Sequence, residues 1–305
     1  MKLRSPLVPI AGIAVAALAL AGCASADPLA GGEGADDGDD GGAIVIGSQD
    51  YYSNEIVAEI YAQALEAVGY EVQRDFRIGQ REVYLPEIEA GSIDLFPEYS
   101  GPVLQYWEPD TEARLPDDVY HSLVGAMPEG LRPLDQAPAT DQDAYAVTRA
   151  FAEEWNLTTI ADLANVTVPL TLGANSEAES RPNGPQGLAS AYGVEAGFAP
   201  IEDGGGPLTV KALEDGDIQL AIVYTSDPSI AENDLVVLED PEGLFLASHI
   251  VPLASERVDD EAAEVINALS AQLTADELIA LNARSVNEEL PAATIATDWL
   301  AEHGA

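Results

Sequence analysis

Thiols and bases are what this chain has least of. One cysteine, Cys23, stands among 305 residues, so no disulfide can form within the chain. Lys and Arg number 12 against 54 Asp and Glu, a formal charge of −42. Such a surface repels phosphate backbones and anionic headgroups, which argues against nucleic acid as a partner. The three histidines, His121, His249 and His303, have no metal-ligand spacing with one another. Enzyme signatures are missing too. There is no G-x-S-x-G elbow and no H-E-x-x-H. The glycine-rich "DGGGPL" (203–208) has no lysine after it at P-loop spacing and reads as a flexible turn before a helix. The Asp36–Asp40 cluster lacks the spaced ligands and closing Glu of a calcium loop.

What is present begins at the N-terminus. Lys2 and Arg4 precede an apolar run from Leu7 to Leu20, too short for a comfortable membrane span but suited to a secretory signal peptide. The run ends Leu20-Ala21-Gly22-Cys23, which resembles a bacterial lipobox. The expectation is a signal peptide over 1–22 and a lipidated Cys23, whose two acyl signals suffice for stable anchoring. Residues 23–43, dominated by Gly, Ala and Asp, then form a flexible, self-repelling tether.

Beyond residue 43 strands and helices alternate. "AIVIGS" (43–48) is a short apolar run, and Ser53 or Asn54 can cap a helix in which Ile56, Ile60, Ala64 and Leu65 share one face before Gly69. "YEVQRDF" (70–76) reads as a strand, "EVYLPEIEA" (82–90) as a helix closed by Gly91, and "SIDLF" (92–96) as a strand that Pro97 halts. This is βαβαβ patterning, the mark of a mainly parallel sheet with helices on both faces. Residues 102–140 are rich in Pro and acid with one short helix near 117–126, and a second alternating series starts at "DAYAVTR" (143–149). The chain closes with helices around 258–273, 275–283 and 292–302. A chain this long divides its core into two lobes.

One internal echo carries chemistry. "EAGSIDLFPEY" (89–99) and "EDGDIQLAIVY" (214–224) share Glu, Gly, Ile, Leu and Tyr at identical offsets. Each reads as a helix stopped at glycine, then a strand with a tyrosine at its carboxyl edge. Ligands of open α/β sheets gather outside those edges, so Tyr99 and Tyr224 would face each other across a cleft.

These segments, with "IVIGSQDYYSNEIVAEIYAQALEAVGYEV", "SRPNGPQGLASAYGV" and "YTSDPSI…LVVLED", resemble the substrate-binding proteins of osmoprotectant ABC transporters, from Ile44 to about Leu300. The resemblance implies a two-lobed periplasmic-binding-protein fold (type II), an α/β architecture with a mixed, mainly parallel sheet in each lobe and the ligand in the interlobe cleft. Lobe one would comprise 44–141 and 247–305, and lobe two 142–246. It also implies a quaternary-ammonium solute (choline, glycine betaine or a related betaine), a membrane permease and an ATPase as partners, an extracytoplasmic location, and no cofactor, metal or bond-making step.

Carried over residue by residue, the family's cage tyrosines match Tyr99, Tyr145 and Tyr224. Its carboxylate-holding arginine matches Arg181, with Glu177 four residues earlier. Aromatic faces suit the task because a quaternary ammonium has no N–H to donate; each desolvated ring contributes on the order of 0.5–2 kcal/mol. The chain also departs from the pattern. Gln49 stands where a lysine is common, Pro102 replaces a hydroxyl residue, and Ser248, beside His249, replaces a fourth tyrosine. Tyr51 or Tyr52 could fill that gap from the other wall. Choline or a bulkier betaine is then as consistent as glycine betaine. The competing expectations are the same fold serving another small solute, such as an amino acid, and a secreted lipoprotein enzyme.

Overall fold

The computed structural model describes residues 42–304; the expected signal peptide, Cys23 and nearly all of the tether lie outside the described residues. In chain order the strands are β1 (Ile44–Gly47), β2 (Val72–Asp75), β3 (Leu95–Tyr99), β4 (Leu131–Pro133), β5 (Asp143–Thr148), β6 (Thr171–Ala174), β7 (Gly197–Pro200), β8 (Leu220–Tyr224), β9 (Leu235–Val237) and β10 (Ile250–Ser255). They form two five-stranded sheets, β2-β1-β3-β10-β4 and β7-β6-β8-β5-β9. In each sheet four strands run one way and one, β10 or β5, runs against its two neighbours. This shared, mixed and mainly parallel topology is that of the type II periplasmic-binding-protein fold.

The chain passes from the first sheet to the second after β4 and returns with β10. The two crossing segments pair with each other. Ala137 donates its N–H to the Ile250 carbonyl at 2.8 Å, Ile250 donates to Ala139 at 3.2 Å, and Asp141 donates to Ser248 at 3.3 Å. Each sheet carries its own buried clusters on its two faces, so the molecule has separate cores on either side of these crossings.

Helix α1 (Tyr52–Ala67) follows β1, and Ile56, Ile60, Ala64 and Leu65 are all buried by it. Its cap differs from the expected one. Tyr51 occupies the N-cap without a side-chain bond, while Ser53 and Asn54 lie inside the first turn. Asn54 is drawn into a different task. Its side chain accepts the Gln49 N–H at 2.9 Å and donates to the Pro97 carbonyl at 2.5 Å, tying the ends of β1 and β3 together.

Pro97 does not halt its strand. β3 runs through it to Tyr99, with Pro97 opposite Pro252 of β10. The two carbonyls point away from each other, to Asn54 and to the Leu134 N–H. Neither missing donor would therefore have served the β3–β10 ladder, and the pair costs no rung. Helix α2 (Arg81–Glu89) precedes β3, and α3 (Ser100–Trp107) follows it directly, within a stretch the sequence marks only as Pro-rich. Pro102 lies in the first turn of α3, where its missing N–H breaks no helical bond.

Gly101, beside it, is a steric necessity. A Cβ there would stand 2.8 Å from both the Ala247 carbonyl oxygen and the Leu246 Cβ of the returning crossing. Gly101→Ala is expected to destabilise the fold by about 1–3 kcal/mol through overpacking against backbone. Urea denaturation checks this as a lower midpoint at unchanged slope.

Candidate ligand-binding site

The two echoing segments fold alike. β3 and β8 are both five residues long and end in Tyr99 and Tyr224. Before them the chain turns at Gly91 (φ +74°) and Gly216 (φ +78°), in the left-handed region that glycine alone enters freely. Tyr51 and Tyr52, at the start of α1, come from the same edge of the first sheet. The Tyr51 ring lies 4.8 Å from that of Tyr52 at 62° and 4.7 Å from that of Tyr224 at 41°. Since Tyr51 belongs to the first sheet's half and Tyr224 to the second's, this aromatic contact spans the cleft. The Tyr52 hydroxyl also crosses it, donating to Asp227 Oδ2 at 3.0 Å.

Gly204 backs the aromatic pair. A Cβ on it would lie 3.7 Å from the Tyr224 ring and 3.8 Å from Tyr51. Gly204 and Gly205 have φ of +65° and +80°, and Asp203 caps the following helix by accepting the N–H groups of Leu208 and Thr209 at 2.6 and 3.1 Å. The "DGGGPL" stretch is thus a pinned turn rather than the flexible one its composition suggests.

Polar atoms around the rings are left over. Gln49 Nε2, Ser53 Oγ, the hydroxyls of Tyr51 and Tyr99, and Asp141 Oδ2 are buried with no hydrogen-bond partner in the protein. Native interiors pair almost all such groups, so five of them on adjoining segments leave hydrogen-bonding capacity here for a ligand or ordered water. The Asn54 amide also approaches the Tyr99 hydroxyl, while one of its two protons goes to the Pro97 carbonyl.

Asp141, on the first crossing and 3% exposed, carries no local signature in the sequence. Its Oδ1 accepts the Ser226 N–H at 3.1 Å, two residues beyond Tyr224, and Asn282 holds the Ser226 hydroxyl at 2.8 Å. Burial pushes the Asp141 carboxyl up to about 7. Burial first, then the Asp141 charge, raises the hydroxyls of Tyr51 and Tyr99 well above the ordinary phenol value.

The other expected residues are distributed as follows. Tyr145 is fully buried in the second sheet's core, edge-on to Phe245 at 4.8 Å, with its hydroxyl donated to the Asn183 carbonyl at 2.7 Å. It pairs with Ile222, two residues inward from Tyr224, so it lies one step deeper than the aromatic cluster. Arg181 reaches across the cleft to Glu82, with Nε and Nη2 donating at 3.0 and 2.9 Å. It borders a cavity of about 160 Å³ shared with Arg81, Gln105, Tyr106, Asp143 and Asn183. Glu177, half-buried on a short 3₁₀ turn, keeps one unpartnered oxygen. Ser248 is buried on the returning crossing and donates weakly to the Asp141 carbonyl at 3.4 Å. The His249 ring turns to the Ala137 carbonyl at 2.8 Å. Glu98, beside Tyr99, faces inward to Arg81 and Tyr84. No cluster of metal-ligating side chains occurs among the described residues.

Comparison with known proteins agrees with this architecture. The chain is 25% identical over 284 residues to the glycine betaine-binding protein YehZ of Escherichia coli K12, covering 86% of this chain and 90% of that one. It is 25% identical over 252 residues to the carnitine transport binding protein OpuCC of Listeria monocytogenes 10403S, covering 78% and 80%. A crystal structure titled glycine betaine/carnitine/choline ABC transporter superposes with a TM-score of 0.67 at 21% identity, covering 85% of this chain and 98% of that one, and shares its fold. The profile of one family matches residues 42–302. The chain therefore belongs to the family of substrate-binding domains of ABC-type glycine betaine transport systems.

Proposed function

We propose that this protein captures a quaternary-ammonium solute in a cage of Tyr51, Tyr52, Tyr99 and Tyr224 and delivers it to an ABC importer. The observation that carries this reading is the contact of the Tyr51, Tyr52 and Tyr224 rings across the two halves of the molecule, with Tyr99 at the neighbouring end of β3 close enough to act on Tyr51 and Tyr224. Rings offer a cation electron-rich faces, and a methylated ammonium asks for nothing more directional. Tyr51 and Tyr52 supply the wall that Ser248 leaves bare. The names of YehZ and OpuCC, which concern a betaine and carnitine, support the same solute class.

The chain would work outside the cytoplasm, held to the membrane by a lipidated Cys23 and a tether over 23–43, with a permease and an ATPase as partners. It binds and releases its solute without making or breaking a bond. Residues 44–141 with 247–305, and residues 142–246, would move as two lobes about hinges near 141 and 246. The contacts of Arg181 with Glu82 and of Tyr52 with Asp227 would form as the lobes close.

Thermal-shift scanning tests the solute class. A ligand at about 100 times its Kd stabilises the native state by about 2.7 kcal/mol. For a domain of this size that raises Tm by about 5–10 °C. Choline, glycine betaine, carnitine or proline betaine is expected to produce such a rise, and amino acids are not. A rise with neutral or anionic solutes alone would overturn the cage.

A further inference from the structure

We propose that Asp141 is the countercharge to the ligand's cationic head, so that the site selects a net cation, a quaternary-ammonium alcohol of the choline class, over a zwitterion carrying its own carboxylate. This rests on the reading of the cleft as an ammonium cage.

The position of Asp141 is set by the backbone. Its N–H bonds to Ser248 on the returning crossing. The next residue of that crossing, His249, accepts the Ser100 N–H, one residue after Tyr99. The Asp141 Oδ1 accepts the Ser226 N–H, two residues after Tyr224. The carboxylate is thereby held on the floor between the two strand ends that carry the cage tyrosines. One oxygen is engaged, and the other is buried with no partner. A buried carboxylate is tolerable where a cation meets it and costly elsewhere.

The surrounding charges argue against a second carboxylate. Arg81 is engaged at both Nε and Nη2 by Glu98, and Arg181 likewise by Glu82. Gln49 offers an amide in place of an ammonium. Asp143 and Asp227 add further acid on the second half's side, held by Asn183 and Tyr52. A ligand carboxylate entering this field meets repulsion, whereas a hydroxyl does not.

Isothermal titration of the full chain with choline chloride and with glycine betaine at pH 8 tests the assignment. Choline is expected to bind at least tenfold more tightly. Asp141→Asn keeps an oxygen for the Ser226 N–H; it should lose at least tenfold in choline affinity and less than threefold for glycine betaine. An unchanged choline affinity in that variant, or a wild type that prefers glycine betaine, overturns the proposal while leaving the cage intact. Binding of neither solute, nor of carnitine, overturns the cage and this inference with it.

The wild type supplies a second measurement that does not depend on the variant folding. Because burial raises the Asp141 carboxyl to about 7, the native state holds this proton more tightly than the unfolded chain. The stability it contributes is full below its ordinary value near 4 and is lost as pH rises through about 7. A bound cation favours the ionised form, so choline affinity should climb between pH 5 and about 7 and level off above. The groups facing Asp141 are Asp143, Asp227 and the four tyrosines, with Arg81 and Arg181 behind; the phenols stay protonated and the guanidiniums charged throughout. Asp143, also raised by burial, contributes its own slope. A wild-type choline affinity that does not rise between pH 5 and 8 overturns the proposal; where Asp141→Asn folds, the part due to Asp141 is the difference between the two profiles.

Discussion

Tyr224→Ala is expected to weaken binding of the best quaternary-ammonium solute by about thirtyfold, and Tyr99→Ala by a comparable factor. A desolvated ring contributes about 2 kcal/mol to a cation over its face, and 1.4 kcal/mol is a factor of ten. Tyr224 also positions Tyr51, whose ring it touches across the cleft, so its removal loosens a second wall. Two conservative variants separate aromatic from polar effects. Tyr224→Phe keeps the ring and should stay within about threefold of wild type. Tyr145→Phe removes a hydroxyl that serves only the Asn183 carbonyl. It should cost about 1 kcal/mol of stability and leave ligand affinity unchanged. Calorimetric titration of the four variants decides between the alternatives. Unchanged affinity in both alanine variants would make Tyr99 and Tyr224 packing residues, and a large loss in Tyr145→Phe would place its hydroxyl at the ligand.

Much of this arrangement could be read from the chain because it is local. A helix stopped by glycine, a five-residue strand and a terminal tyrosine lie within eleven consecutive residues, twice over. The alternation of elements likewise follows from hydrophobic period, and both sheets form as that pattern requires. What could not be read depends on partners distant in sequence. Asp141 is one of 54 acids and has no local signature. Its burial arises only because a segment more than a hundred residues later pairs with it. Pro97 reads as a strand breaker until Pro252 is placed opposite. Asn54 reads as a helix cap until Pro97 and Gln49 come within reach. Tyr145 matches a cage position by motif, yet Phe245 and Asn183, neither adjacent in sequence, determine where its ring packs. In each case the residue type suggests a role, and the tertiary neighbour fixes where the side chain lies.

Glu98→Ala should produce the largest loss of stability, about 3–5 kcal/mol, because it strands a buried guanidinium. Glu98 is wholly buried and accepts four donors: Arg81 Nε at 2.6 Å, Arg81 Nη2 at 3.0 Å, the Tyr84 hydroxyl at 2.6 Å and the Tyr99 backbone N–H. Removing it leaves a charge and two further donors unpaired in a region packed by Phe96 and Tyr84, whose rings stack at 4.2 Å. For a domain of this size the expected fall in Tm is about 10 °C or more. The double variant Arg81→Met/Glu98→Met removes both charges together. It should recover a substantial part of that loss, since apolar side chains of similar volume avoid the desolvation of an ion pair. Ligand affinity supplies the decisive contrast. Glu98 bonds the backbone of Tyr99 itself, so both variants should bind the solute more weakly even at temperatures where they remain folded. If Glu98→Ala melts within 2 °C of wild type, the buried pair does not anchor this strand end. If it melts low but binds normally, Tyr99 is held by β10 and Asn54 alone.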